Sequence, residues 1–210
     1  MYRRGGAWTT FEYSTDNENW SDFNTSTQIS LATGDKAYFR AKQTRDTSSS
    51  DSDKTWFSIS GNVKASGNIM MLYDYEHPEN MTLTHSYAFA NLFCDHSTGL
   101  TDVKDLIMPN VLSTGCCGNM FLGSRITSSP ILPALTLVSK CYEGMFANIP
   151  TLTDITMLAT DISASGCLTN WLYGSPNTGA QTLYKNPNIS RSAFSSGISG
   201  IPSNWNVVDY

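Results

Sequence analysis

One short phrase recurs along this chain of 210 residues and constrains its fold more than any other feature. The phrase is a cysteine, three variable residues and two apolar residues, reading GCCGNMF at residues 115–121, KCYEGMF at 140–146 and GCLTNWL at 166–172. Its cysteines are 25 and 26 residues apart, and a related segment without the cysteine, YAFANLF, stands at 87–93. A unit this short cannot bury its own apolar face, so the period predicts four units that bury their faces by stacking.

Shorter apolar runs lie between these phrases, at residues 106–112, 131–137 and 155–162. Pro109 and Pro133 interrupt the first two runs, which disfavours a helix and favours extended segments or strand edges. Each unit is therefore predicted to be an extended segment, a turn and a short turn-like or helical phrase. Its length falls within the range of about 20–29 residues that is typical of leucine-rich repeats, and four imperfect units narrowly meet the minimum of about three.

The cysteines of the phrase are expected in the interior, one above another. Cys116, Cys141 and Cys167 occupy equivalent positions, and a thiol packs well as a small apolar group. Neighbouring strands lie within reach of a disulfide, but equivalent side chains of a parallel stack point the same way, which opposes bridging. We therefore expect free thiols.

The stretch LPALTLVSKCYEGMF at residues 132–146 resembles the repeat of BspA-like leucine-rich-repeat proteins of gut Bacteroidota and their phages. The resemblance covers about residues 60–210 and includes the ending GIPSNWNV at 200–207, which is similar to the closing segment of such proteins. It implies a surface protein with a short solenoid. The chain departs from the family pattern at Ile126, Asp161, Trp171 and Leu172.

The first 60 residues alternate apolar and polar positions in the manner of β-strands. About four short strands are predicted, around Phe11 and Tyr13, Ile29 and Leu31, Ala37 and Phe39, and Phe57 and Ile59. Turns are predicted at 15–19, of the Asx type, at 33–35, and in a long polar excursion at 44–54 that is expected to be mobile. This opening also resembles the small β-domain that precedes the repeats in the same family.

The predicted fold class is therefore β-rich, with three regions. A small N-terminal antiparallel β-domain at residues 1–65 would serve for capping and attachment. Residues 66–180 would form a short, irregular leucine-rich-repeat-like solenoid, and residues 181–210, with one further strand-like stretch and a Ser-rich turn, would form a C-terminal cap.

Composition supports a strand- and turn-rich chain. Ser and Thr together fill 50 positions, whereas charged residues make up only 15% of the chain, against about 25% in ordinary soluble domains. The formal net charge of -5 disfavours an electrostatic interaction with a nucleic-acid backbone. No apolar stretch approaches the 18 or more residues of a membrane span, and the first residues lack the apolar region of a signal peptide. Neither nucleic-acid binding nor membrane insertion is expected.

Residues with catalytic or metal-binding potential are few, and each has a structural alternative that we favour. Cys94, Asp95 and His96 are the one compact set for nucleophilic catalysis, but sequence neighbours rarely form such a site. The abutting Cys116 and Cys117 lack the paired spacing of a zinc site. Two acidic runs could hold calcium but lack the glycine and glutamate of an EF-hand: Asp16, Glu18 and Asp22, and Asp46, Asp51 and Asp53.

We predict a non-enzymatic binding module with no catalytic residue, metal or cofactor, whose ligand-binding residues cannot be assigned from the sequence. Among the aromatic residues that could stack on sugars or anchor a protein, Tyr142, Trp171, Tyr173 and Trp205, core packing is favoured for each one. The first hypothesis is a phage head or tail-fibre component on the virion surface, in contact with a protein or glycan of the host surface, with other virion proteins as further partners and a homotrimer as one possible assembly. The alternatives are a secreted, extracellular or cell-surface BspA-like adhesin and an unrecognised hydrolase.

Overall fold

The computed structural model describes residues 8–47, 55–94 and 97–210. This part of the chain is β-rich, with eleven short strands and two 3₁₀ turns, Ile69–Leu72 and Arg191–Ala193. The strands are β1 (Trp8–Ser14), β2 (Ser21–Asp22), β3 (Tyr38–Gln43), β4 (Val63–Lys64), β5 (Gly67–Asn68), β6 (Leu100–Asp102), β7 (Leu106–Ile107), β8 (Ser128–Leu132), β9 (Asp154–Met157), β10 (Thr182–Lys185) and β11 (Asn206–Asp209).

The N-terminal strands form a small antiparallel sheet in the order β2-β1-β3. Phe11 faces Ala41 across the β1–β3 pair and both are buried, whereas Glu12 faces Arg40 on the opposite side of the sheet. The alternation in β1 and β3 is thus the one that the sequence predicts, and the small antiparallel sheet is confirmed.

Two of the four strands expected in this region are not strands. Ile29 packs against the core, but Leu31 is 41% exposed, so this segment lacks the continuous buried face that favours a strand. Phe57 and Ile59 are buried, but their segment is held by single hydrogen bonds to other parts of the chain, such as the bond from the Phe57 N–H to the Leu92 carbonyl at 2.8 Å. Ser21–Asp22 pairs with β1 instead, at a position where no strand is predicted.

The later strands pair in parallel. Strands β8 to β11 form a four-stranded parallel sheet in the order β11-β10-β9-β8, and β4 pairs with β6 and β5 with β7. Strands β7, β8 and β9 fall within or overlap the three apolar runs between the repeated phrases, which confirms their extended conformation. Because Pro130 has no N–H, β8 contains an irregularity, and the Ser129 hydroxyl accepts the hydrogen bond from the Thr156 N–H at 2.9 Å.

The four repeat segments, residues 87–93, 115–121, 140–146 and 166–172, lie side by side. Alternate N–H groups of each segment donate to carbonyls of the following one, and between the first two segments the bonds are 2.7–2.9 Å long. The pairs in order are Tyr87 to Thr114, Phe89 to Cys116, Asn91 to Gly118 and Phe93 to Met120; Gly115 to Ser139, Cys117 to Cys141, Asn119 to Glu143 and Phe121 to Met145; Lys140 to Ser165, Tyr142 to Cys167, Gly144 to Thr169 and Phe146 to Trp171.

Positive φ angles recur every fourth residue in these segments and explain their asparagines and glycines. Asn and Gly tolerate this left-handed conformation better than other residues. The positions are Tyr87 and Asn91; Gly115, Asn119 and Gly123; Lys140, Gly144 and Asn148; and Gly166, Asn170 and Gly174. Along the stack, the Asn119 side chain lies against Gly144 and the Asn148 side chain against Gly174, so that a Cβ on either glycine would collide with an amide oxygen.

A column of aromatic rings runs through the centre of the molecule. Phe93, Phe121 and Phe146 stack with ring centroids 5.8 Å apart and planes within 13° of parallel. Phe57 stacks on Phe93 at 5.5 Å and also contacts the phenylalanines of the N-terminal sheet, while Trp171 meets the other end edge to face. The buried residues therefore form one continuous cluster from the antiparallel sheet to the last strands.

The cysteines of the phrase are part of this core. Cys116, Cys141 and Cys167 are buried and unbridged, as expected. The Sγ of Cys116 lies 4.0 Å from the Cys141 carbonyl oxygen, and the Sγ of Cys141 lies 4.0 Å from the Cys167 carbonyl oxygen. The predicted vertical alignment of the three side chains is confirmed.

Several Ser and Thr hydroxyls have a structural role, which accounts for part of the high content of these residues. Several of them donate to a carbonyl 25–29 residues earlier in the chain and so join adjacent units. The pairs are Ser113 to His85 at 2.6 Å, Thr151 to Ile126 at 2.8 Å, Thr160 to Leu135 at 3.3 Å and Ser175 to Phe146 at 2.6 Å.

Candidate binding surface

The outward face of the four-stranded sheet carries a stripe of apolar and hydroxyl side chains. Ile131, Thr156, Tyr184 and Val208 stand side by side on β8, β9, β10 and β11. Ile131 and Val208 are 42% and 45% exposed, and the two central side chains are half-buried. We call these four residues the sheet stripe. Exposed apolar groups that adjoin one another mark interaction sites more often than scattered ones do.

The sheet is amphipathic, so the stripe is available for contact without loss of core packing. The side chains that alternate with the stripe, among them Leu132, Ile155 and Leu183, are buried on the opposite side of the sheet. Beside the stripe, Asp154 accepts hydrogen bonds from the Ser128 hydroxyl at 2.6 Å and the Thr153 hydroxyl at 2.8 Å. The surface is thus an apolar band with a polar border, the usual composition of a protein contact surface.

Three of the four aromatic residues weighed as ligand contacts belong to the core. Tyr142, Trp171 and Trp205 are at most 5% exposed, and the Trp171 Nε1 donates to the Gly200 carbonyl at 2.6 Å. Tyr173 alone of the four is exposed, at 55%. The preference for core packing is confirmed for three of them and is wrong for Tyr173.

A second aromatic cluster lies on the outer side of the N-terminal sheet. The Arg40 guanidinium carbon is 4.2 Å from the ring centroid of Trp20 and 4.8 Å from that of Tyr75, and its Nε donates to Glu12 at 2.6 Å. Such cation–π contacts hold β3 against the segment that follows the first 3₁₀ turn. Because Arg40 occupies one face of each ring, we assign this cluster a structural role and not a binding role. The cluster could not be predicted from the sequence.

The residues with catalytic or metal-binding potential are not assembled into a site within the described ranges. Cys94 is buried, and Asp95 and His96 lie outside the described residues. Asp51 and Asp53 also lie outside them, while Asp46 accepts a hydrogen bond from the Ser86 N–H at 2.8 Å. In residues 8–47, 55–94 and 97–210, no three His, Cys, Asp or Glu side chains are grouped so that they could hold a metal ion.

Asp16 organises the turn that the sequence predicts at residues 15–19. Its Oδ1 accepts from the backbone N–H groups of Glu18 and Asn19, and its Oδ2 accepts from the Asn19 side chain at 2.7 Å, while the Ser14 hydroxyl donates to it at 2.8 Å. These hydrogen bonds, that of the Asn19 side chain first, hold the pKa of Asp16 well below its usual range. The Asx-type turn is confirmed.

The first part of the predicted excursion at 44–54 is hydrogen-bonded to the start of the first repeat segment. The Thr47 hydroxyl donates to the Tyr87 carbonyl at 2.8 Å, and the Thr47 N–H donates to the Ser86 carbonyl at 3.1 Å. The remaining part of that prediction, at residues 48–54, lies outside the described residues.

The buried thiols should be unreactive in the folded protein. Burial raises the pKa of Cys141, and the hydrogen bond with Cys116 together with burial raises the pKa of Cys117. Since the thiolate is the reactive form, a raised pKa leaves both groups protonated at pH 8. We expect Cys117 and Cys141 to resist a disulfide reagent such as DTNB at pH 8 until guanidinium unfolds the chain, whereupon all five cysteines react. Rapid labelling of Cys141 in the folded state, located by mass spectrometry, would contradict this burial.

Comparisons with protein-family models, with curated proteins and with solved structures found no match to this chain. Within the described residues there is also no helix of the length and apolar character needed to cross a bilayer.

Proposed function

We propose that this protein is a non-enzymatic surface-binding module, a phage head or tail-fibre component that contacts the host surface through the sheet stripe. The observation that carries the proposal is the outward face of β8 to β11, where Ile131 and Val208 are exposed at opposite ends of a continuous row. Such a face is built from several units of the chain, and extended faces of this kind suit large ligands such as proteins or surface glycans.

The fold that we propose for residues 66–180 is a short leucine-rich-repeat-like solenoid of the BspA-like class. Three features support it: the period of 25 and 26 residues, the parallel strands, and the hydrogen bonds that join successive repeat segments. In this proposal the antiparallel sheet caps one end of the stack and residues 181–210 cap the other. Strands β10 and β11 would then continue the sheet of the repeats into the cap.

The resemblance of residues 132–146 to BspA-like proteins of gut Bacteroidota and their phages supports the surface role. A secreted adhesin of a gut bacterium would use the same face. Detection of the protein in purified phage particles would distinguish a phage protein from a bacterial one better than the identity of the binding partner. Assembly with other virion proteins and a homotrimeric state belong to the same proposal. Light scattering on the purified protein measures that state directly.

The test is binding of the purified, tagged chain to intact gut Bacteroidota cells and to a glycan array. In a double variant, Ile131→Ser with Val208→Ser, both exposed ends of the stripe lose their apolar groups while the buried side of the sheet is unchanged. We expect binding to fall by about tenfold or more, as for residues that dominate a contact surface. A matched double variant, Leu31→Ser with Ile198→Ser, changes side chains that are 41% and 42% exposed and do not belong to the stripe, and should bind normally.

Equal losses in both double variants would show that the stripe has no special role. Absence of binding by the unaltered chain to both cells and glycans would overturn the adhesive function and leave a structural role in the particle.

A further inference from the structure

The hydrogen-bond pattern between repeat segments is interrupted at one place, the start of the last segment. In the three earlier segments, the first two donor positions give their N–H groups to carbonyls two residues apart in the next segment. The equivalent positions in the last segment are Gly166 and Leu168. Within the described part of the chain, neither N–H donates to a carbonyl, and the Leu168 N–H lies within reach only of the neighbouring Cys167 thiol.

The later half of the same segment is fully covered by the chain that follows. The Asn170 N–H donates to the Ser199 hydroxyl at 2.9 Å and the Leu172 N–H to the Ile198 carbonyl at 3.1 Å. Residues 195–201 thus replace a following segment for the second pair of donors but not for the first pair. The gap in the hydrogen-bond pattern is therefore confined to the first half of the last segment.

A cavity of about 280 Å³ lies at this gap. One wall is the start of the last segment, from Gly166 to Thr169, and the opposite wall includes Ala193, Ser195 and Ser199. Since the other segments direct the equivalent N–H groups towards the next segment, those of Gly166 and Leu168 are directed into this cavity. Its volume is close to the lower limit of ligand pockets, which hold about 300–1,000 Å³.

The Cys167 thiol, which adjoins the same gap, has different neighbours from the other two thiols. The thiols of Cys116 and Cys141 both lie 4.0 Å from the cysteine carbonyl of the following segment. Cys167 has no such carbonyl within the described residues, and its Sγ lies 3.2 Å from the Ile162 carbonyl instead. It is also 5% exposed, whereas the other two thiols are fully buried.

We propose that this cavity binds a peptide segment of a partner protein in the turn conformation of the repeat segments, and that its carbonyl oxygens accept hydrogen bonds from the N–H groups of Gly166 and Leu168. The preceding junctions define the required chemistry, because each presents two carbonyls of one turn segment, such as those of Ser139 and Cys141 on either side of Lys140, to the same pair of donors. As when a peptide adds to an exposed sheet edge, main-chain hydrogen bonds would supply the affinity. The site is separate from the sheet stripe and goes beyond the adhesive function.

A second copy of this chain is a poorer occupant than a foreign peptide. In the register of the earlier junctions, head-to-tail stacking would use the carbonyls of Ser86 and Ala88, and that of Ser86 already accepts hydrogen bonds from the N–H and the hydroxyl of Thr47. The Leu92 carbonyl accepts from the Phe57 N–H. The N-terminal region therefore covers the end of the stack that a second copy would use.

The experiment uses the full chain labelled with ¹⁵N and a capped ten-residue peptide with the sequence of residues 136–145, in which serine replaces Cys141. This peptide carries the two carbonyls that the junction between the second and third segments employs. We expect saturable downfield shifts of the Gly166 and Leu168 amide protons. Without the peptide, both amides should exchange with solvent faster than those of Gly115 and Cys117, which are hydrogen-bonded.

Two tryptophan variants test the place of binding. Ala193→Trp fills the cavity from an exposed position and should weaken peptide binding by about tenfold or more, equivalent to about 1.4 kcal/mol. Ser192→Trp adds the same side chain to the neighbouring exposed residue, which does not line the cavity, and should leave binding within about twofold.

Slow exchange of both amides in the protein alone would mean that their donors are already satisfied and would overturn the proposal. So would the absence of a shift, an equal effect of the two tryptophan variants, or the same shift with sodium acetate in place of the peptide, which would assign the cavity to small carboxylates. Cell binding by the sheet stripe does not enter these measurements, so the two proposals can fail independently.

Discussion

Replacement of Gly144 by alanine should lower the free energy of unfolding by about 3 kcal/mol. The φ angle of Gly144 is 62°, where a residue with a Cβ pays about 1–2 kcal/mol, and the new methyl group would also collide with the Asn119 side chain of the preceding segment. Crowding of this kind adds about 1–3 kcal/mol in packed sites. Urea unfolding monitored by circular dichroism gives the difference directly.

A matched glycine separates the two causes. Gly197 has a φ of 85° and nothing within 4 Å of an added Cβ, so Gly197→Ala should lose only the conformational part, about 1–2 kcal/mol. In a double variant, Asn119→Gly with Gly144→Ala, the colliding amide is removed at a position whose own φ of 52° suits glycine. We expect this second change to restore about half of the lost stability, which is a coupling that a double-mutant cycle detects. If the two single alanine variants are equally destabilised, the contact between Asn119 and Gly144 has no energetic role.

The alternation of Asn and Gly shows what the sequence contains and what it does not. The repeated cysteine phrase and its period were sufficient to predict the stacking of the segments and the burial of the thiols. The spacing of four residues between 115, 119 and 123, and between 140, 144 and 148, is a further signal of the left-handed positions. Tyr87 and Lys140 adopt the same conformation, at φ 56° each, and their residue types give no indication of it.

The N-terminal region was harder to predict because its structure depends on contacts that are distant in sequence. Alternation placed β1 and β3 correctly, since each has one buried face. The same alternation at Ile29 and Leu31 produced no strand, because only Ile29 packs against the core and Leu31 is exposed. Phe57 belongs to the aromatic column only through Phe93, which lies 36 residues further along the chain.

Neither of the two proposed binding surfaces could be assigned from the sequence. The sheet stripe joins one residue from each of four strands, so it depends on the register of three strand pairs. The cavity at Gly166 and Leu168 depends on where the closing segment ends its contacts with the last repeat. The sequence does provide the period of the repeats. The missing hydrogen bonds at Gly166 and Leu168 are recognised by comparison with the equivalent positions of the earlier repeats.

Replacement of Phe121 by alanine should lower the free energy of unfolding by about 4 kcal/mol, the usual range for a large aromatic side chain in a core. Phe121 is fully buried between Phe93 and Phe146, with interplanar angles of 6° and 13°. The loss therefore includes a cavity and two ring contacts, and it is a large part of the roughly 5–15 kcal/mol that stabilises a typical domain. Tyr173→Ala, at an aromatic residue that is 55% exposed, is the control and should change stability by no more than about 0.5 kcal/mol.

The same variant tests whether the chain unfolds as one unit or divides near residue 65. The aromatic column passes from Phe121 through Phe93 and Phe57 to Phe11 in the antiparallel sheet, so the loss at Phe121 should be felt on both sides. Hydrogen exchange followed by mass spectrometry reports β3 and β10 separately, and we expect Phe121→Ala to lower the protection of both strands to the same extent. Protection that is lost in β10 but kept in β3 would identify the antiparallel sheet as an independently stable domain, as the sequence predicts for residues 1–65. An equal loss would mean that this sheet owes its stability to the repeats that it covers.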